Sequence, residues 1–166
     1  PLLVAPLLRL KIRSSDVEPR VLGVCFDTLL IISPDSETVR LVLEYAQAKS
    51  ITKKFSPDYN VVQSEAVASL ASSSFAEAVN AVTKLYEALP DSQLKRVLLT
   101  ALGASSVSEA FNFLVQIVKD APVNEARWGL EALKPKLFDA DNKAVIEQYL
   151  KARKNDDLSK LYQSWK

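Results

Sequence analysis

Histidine is missing from this chain altogether, and with it go the chemistries that need an imidazole: catalytic triads and dyads, most zinc sites and pH switches near neutrality. Glycine is almost as scarce, at three residues, and the eight prolines fall mostly between periodic segments. Hairpin-turn chemistry on the scale an all-β chain requires is therefore lacking. Neither sign of charge dominates. Lys and Arg total 21 against 20 Asp and Glu, a formal net charge of +1, so no global field steers the chain to nucleic acid or acidic lipid. No apolar run reaches the roughly eighteen residues of a membrane span. The opening Pro1-Leu2-Leu3-Val4-Ala5-Pro6-Leu7-Leu8 is broken by proline and lacks a basic leader, unlike a signal peptide. The single Cys25 has no internal disulfide partner, which favours a reducing compartment such as the cytoplasm. A start without Met and with an apolar segment favours a piece of a longer polypeptide.

What remains is helical periodicity, and it repeats. Ser74-Phe75-Ala76-Glu77 and Ser106-Val107-Ser108-Glu109 read as two Ser-x-x-Glu capping boxes one repeat apart, each ahead of an apolar-periodic stretch. Upstream of each lies another helix. Val62, Ala66, Ser69 and Leu70 mark the first, and Leu94, Val97, Leu98, Ala101 and Leu102 the second, with Leu70 and Leu102 in equivalent places. A third copy has Ala126, Gly129, Leu130, Leu133 and Leu137 on its first helix and Val145, Ile146, Tyr149 and Leu150 on its second.

A more diverged copy precedes these. Ser15 to Glu18 reads as its start, Val21, Val24, Cys25, Thr28, Leu29 and Ile32 as its inward stripe, and Ser33-Pro34 as the opening of a helix carrying Val39, Val42, Leu43 and Ala46. Leu22, Phe26 and Leu30 make the first of these helices apolar nearly all round, predicting burial from two sides under the N-terminal segment. Ser50 to Tyr59 is a longer connection.

About four antiparallel helix pairs of about thirty to forty residues each result, over residues 16–152. A lead-in over 1–15 precedes them and a short capping helix over 156–166 follows, in one helical-repeat domain. With Arg96 to Ala104 and Glu125 to Leu133 as its most typical stretches, this all-α chain resembles HEAT-like repeats, which implies an α-α superhelix. Lys95 to Ala104 and Trp165 are also similar to the C-terminal helical domain of gluzincin-type zinc aminopeptidases, a domain without catalytic residues of its own.

Candidate chemistry is thin. Cys25 reads as a nucleophile or, on its apolar stripe, as an inert buried thiol; the second fits its neighbours. Asp139-Ala140-Asp141-Asn142 suggests a calcium loop but lacks the glycine and distal glutamate of an EF-hand, and its place before a helix fits an N-cap. No metal or cofactor is expected. Lys134, Lys136, Lys151, Arg153 and Lys154, with Trp128 and Trp165, read either as a phosphate-binding surface or as solvated helix ends. Tyr86, Tyr149 and Tyr162 fit core packing with the hydroxyl at the edge.

The expected function is a non-enzymatic interaction module that holds a protein or peptide on the groove of its second helices. Its contacts would come from Glu44, Asn80, Lys84, Asn112, Gln116, Lys119, Glu147 and Lys151. The alternative is an accessory helical domain of a larger enzyme such as a zinc aminopeptidase, whose partner is the rest of its own polypeptide. A nucleic-acid-binding array is the third, and predicts Lys84, Lys119, Lys134 and Lys151 on one concave stripe. The terminal helix, with Leu158, Leu161 and Trp165 on one face, should close the end of the array.

Overall fold

A computed structural model describes residues 3–14, 17–47, 59–89 and 92–165, and every regular element among them is helical. Ser15, in the expected first start box, and residues 50–58 of the long connection lie outside the described residues. Helix α1 (Val4–Arg13) is followed by α2 (Pro19–Ile32), α3 (Ser36–Ala46), α4 (Tyr59–Ser72), α5 (Ala76–Thr83), α6 (Ser92–Ala104), α7 (Ser108–Asp120), α8 (Val123–Leu133), α9 (Ala140–Arg153) and α10 (Asp156–Gln163). Short 3-10 turns, Tyr86–Ala88 and Lys134–Phe138, extend α5 and α8.

The helices pack in two layers. Helices α2, α4, α6 and α8 lie side by side in chain order, and α3, α5, α7 and α9 do the same. Within a layer the helices run parallel. Lys95 near the start of α6 pairs with Glu125 near the start of α8, and Gly103 near the end of α6 touches Ala132 near the end of α8. In the other layer Ser36 at the start of α3 donates to Glu77 at the start of α5 at 3.0 Å.

The core is the seam between the layers. Leu70, Leu102 and Leu133, the repeated stripe position, are all fully buried, as are Leu98, Leu114, Leu130 and Tyr86 beside them. Buried apolar side chains from Ile12 to Tyr162 form one cluster. Gly103 serves close approach: a Cβ there would lie 2.5 Å from the carbonyl oxygen of Ala132.

Three local expectations are corrected. The helices expected from Ser74 and Ser106 begin after Phe75 and Val107, and neither serine caps them. The preceding serines act instead: Ser73 Oγ accepts from the Phe75 amide at 3.1 Å and Ser105 Oγ from the Val107 amide at 3.4 Å. Pro34 stands ahead of α3 rather than in its first turn, because Asp35 is the cap and accepts from the Thr38 amide at 2.8 Å. On α2 the buried stripe is Leu22, Cys25, Phe26, Leu29 and Leu30, whereas Val21, Val24 and Ile32 face outward. The shift follows from packing: α4 and α1 cover this largely apolar helix, while the face with Val21, Val24 and Ile31 stays exposed.

The two ends are closed differently. Helix α1 buries Ile12 and is pinned by Arg9, which donates to Asp35, Thr38 and Ser33, while Tyr45 donates to the Ile12 carbonyl at 2.7 Å. Helix α10 packs against α8 and α9 through Leu158 and Tyr162, with Leu161 and Trp165 half-buried. The expected docking of this helix is present, with Tyr162 as a buried contact in addition to Leu158. No described helix is long and apolar enough to cross a membrane.

Candidate functional site

The polar faces of α5, α7 and α9 lie next to one another because their layer is parallel and in register. Asn80 and Asn112, Lys84 and Gln116, and Lys119 and Lys151 occupy equivalent places in successive repeats, and all six are exposed. Glu147 does not share this face. Its register is that of the buried Val115, and its carboxylate accepts the Tyr162 hydroxyl at 2.8 Å. Ala144 and Gln148, both exposed, stand where the repeat carries Asn112 and Gln116. Glu44 on α3 is half-buried.

At one edge of this surface is a cleft of about 430 Å³, where the turn after α5 meets the starts of α6 and α8 and the end of α7. Its floor is a bonded triad. Tyr86 donates its hydroxyl to Glu125, Lys95 reaches the other oxygen of Glu125 at 3.3 Å, and the Lys95 ammonium lies 4.6 Å from the centroid of the Tyr86 ring. Phe113 packs edge-on against Tyr86 at 5.5 Å. Burial, then the hydrogen bond to Glu125 and its charge, push the Tyr86 phenol well above its ordinary range, so it stays a neutral donor. Gln116 and Asp120, bonded to each other, form the rim.

Of the residues expected to bind a partner, only Gln116 lines this cleft. Tyr86, Lys95 and Glu125 were not legible as a unit, since they come from three elements with no local spacing to join them. The nearest sequence signal is the early placement of Lys95 and Glu125 in equivalent first helices.

The basic residues of the last third do not make one surface. Lys136 donates to the Ser105 carbonyl, and Arg153 donates to the carbonyls of Val118 at 2.7 Å and Ala121 at 2.6 Å, closing the C-terminus of α7. Lys119 lies over the Tyr149 ring and Lys134 over Trp165; Lys119 is on α7 and Lys134 directly follows α8, so the two belong to different layers. Cys25 is buried. Asp139 caps α9, accepting from the amides of Asp141 and Asn142 at 2.9 Å each. Among the described residues no group of three or more His, Cys, Asp or Glu is placed to hold a metal ion.

Against protein-family models, curated proteins and solved structures, the chain matches nothing. The most regular feature of the structure is the layer of second helices, and its most constructed polar feature is the cleft at the edge of that layer.

Proposed function

We propose that this chain is a non-catalytic interaction module, a HEAT-like array that holds a protein or peptide partner across α5, α7 and α9. The observation that carries this reading is the repeat-matched row of exposed polar side chains: Asn80 and Asn112, Lys84 and Gln116, Lys119 and Lys151. Parallel helices in register present donors at regular intervals along a surface. An extended or helical partner can follow such a row with few contacts per repeat and gain affinity by adding them. The adjoining cleft gives the row an anchor point, since a neutral phenol and a fixed ammonium hold Glu125 where a partner's side chain can meet the rim of Gln116 and Asp120.

A second reading, the accessory helical domain of a larger enzyme such as a zinc aminopeptidase, has one specific observation in its favour. Leu3 ahead of α1, Leu7 and Leu10 on it, and Val21, Val24 and Ile31 of α2 face solvent as apolar stripes. Surfaces of that kind are ordinarily covered by other protein. The nucleic-acid reading has less support, because Lys134 and Lys119 do not share a layer.

Selection of peptides from a random display library against the whole chain tests the first reading. Asn80→Arg, Asn112→Arg and Gln116→Arg should each weaken the selected peptides by roughly tenfold or more, the effect expected of a central contact, while thermal melting stays put. Arg127→Glu, in the other layer, should leave them bound. Peptides indifferent to all three arginine substitutions would remove the second-helix surface from consideration.

A further inference from the structure

A different cleft, of about 490 Å³, lies at the C-terminal end of the array between the 3-10 turn Lys134–Phe138 and α10. That is within the range of about 300–1,000 Å³ that organic ligand groups occupy. Its walls are apolar and aromatic, from Leu137, Phe138 and Trp165, and its charged groups are the ammonium groups of Lys134 and Lys143. Among the described residues no carboxylate lines it. The Lys134 ammonium stands 5.3 Å from the centroid of the Trp165 ring, and neither lysine forms an ion pair among the described residues.

Phe138 marks the outer rim. It is 97% exposed, more than any other large apolar side chain described. The chain on either side of it is fixed, by half-buried Leu137 before it and by the Asp139 cap after it. An aromatic ring held in water adds nothing to the fold, and gains burial only when something covers it.

We propose that this cleft binds a peptide segment in which a single carboxylate adjoins a bulky apolar side chain. The carboxylate sits between Lys134 and Lys143, and the apolar side chain lies along Leu137 and Trp165 out to Phe138. Charge complementarity selects the sign: among the described residues two cations without an ion pair and no anion in an apolar wall favour one negative group over a neutral or positive one. The position of Phe138 selects the length, since a ligand that reaches from the ammonium pair to this outer ring extends beyond the cavity. The neighbours of Phe138 select against a polyanion. Asp139 and Asp141 are exposed immediately beyond it, so the successive phosphates of a nucleic acid would meet carboxylates. Of the second helices this site uses only Lys143, in the first turn of α9, and none of the repeat-matched row from Asn80 to Lys151.

The test is a titration of the ¹⁵N-labelled full chain with the blocked peptide acetyl-Ser-Glu-Phe-Leu-Ser-amide. Saturable shifts are expected at the Trp165 indole and at the amides of residues 134 and 136–143, with the Trp128 indole unmoved. Phe138→Ala and Lys143→Glu, both at exposed positions and therefore folded, should each weaken binding by roughly tenfold, as should Gln for Glu in the peptide. Lys84→Glu should leave it unchanged. The proposal is overturned by the absence of saturable shifts, or by binding that survives Phe138→Ala. It is equally overturned if N-acetylphenylalanine binds as tightly as the peptide, or if an oligothymidylate displaces it. Loss of binding in Lys84→Glu but not in Phe138→Ala would move the site to the second helices and overturn it as well.

Discussion

Ser105 Oγ donates to the carbonyl oxygen of Ser73 at 2.7 Å, joining two loops that hold the same place in consecutive repeats. Ser105 is fully buried, and its own carbonyl accepts in turn from Lys136, the corresponding position of the next repeat. The loops after Leu102 and Leu133 are thus each tied to the one before by a side chain three residues beyond the repeated leucine.

Removing that tie should be costly. Ser105→Ala leaves the Ser73 carbonyl without this donor and should destabilise the fold by about 1–3 kcal/mol. Ser106→Ala, one residue on and exposed, should change stability by no more than about 0.5 kcal/mol, since Ser106 caps nothing. Urea midpoints of the two variants decide it; equal losses would mean that Ser106 caps α7 after all.

Leu102→Ala opens a cavity at the seam of the two layers. With Leu102 fully buried, the expected loss is about 2–5 kcal/mol, and a loss below about 1 kcal/mol would contradict the packing described.

Two glycines should respond in opposite ways. At Gly103 an added methyl meets the Ala132 backbone, which cannot step aside, so Gly103→Ala should cost about 1–3 kcal/mol. At Gly23 the nearest atoms belong to the flexible Glu65 side chain, and the gain in helix propensity, about 1 kcal/mol at most, should cover its displacement. Thermal melting of the pair should therefore diverge in sign or nearly so.

Asp35 gives the fold an acid limit. The Ser33 hydroxyl, then the Thr38 amide and hydroxyl and the Arg9 guanidinium, bond its carboxylate and hold it down to about 2 against the opposing effect of burial. A carboxylate lowered on folding contributes stability above its unfolded value of about 3.9, and that contribution fades as pH falls through about 2. Because the side chain is 48% exposed, water screens it and the contribution should not exceed about 1 kcal/mol. Denaturation curves between pH 5 and pH 2 should be flatter in Asp35→Asn; identical slopes would remove this carboxylate from the acid response.

Deleting residues 157–166 uncovers what α10 protects. Leu158 and Tyr162 leave the core, and at about 1.5–3 kcal/mol per large side chain the truncated chain should melt earlier and self-associate. Burial, then the hydrogen bond to Glu147, push the Tyr162 phenol up to about 12. Its support is therefore complete below about pH 10 and is lost as pH rises through about 12. Unchanged melting and an unchanged monomer fraction after deletion would show that the helix does not close the array.

The helices of the last three pairs were legible because each had one apolar stripe, and Leu70, Leu102 and Leu133 fixed the repeat. The first pair misled because the outward face of α2 carries Val21, Val24 and Ile31 among only a few polar residues, Arg20, Asp27 and Thr28, so the pattern set Val21 and Val24 inward. The capping serines were displaced by one residue because a hydroxyl before the N-cap leaves the same local pattern as a hydroxyl at it. Asp139 was readable, since an N-cap is a local event. The Tyr86, Lys95 and Glu125 triad was not, because it exists only once three elements are packed.

The notch at Gly103 has a mechanical meaning. Where a carbonyl nests against a residue without a side chain, the two backbones come closer than any larger residue would allow. Lys95, about 12 Å away along α6 at 1.5 Å per residue, pairs with Glu125 at 3.3 Å. Helices α6 and α8 are therefore fastened near both ends, at one by a missing side chain and at the other by an ion pair, and the cleft over Tyr86 lies at the ion-paired end.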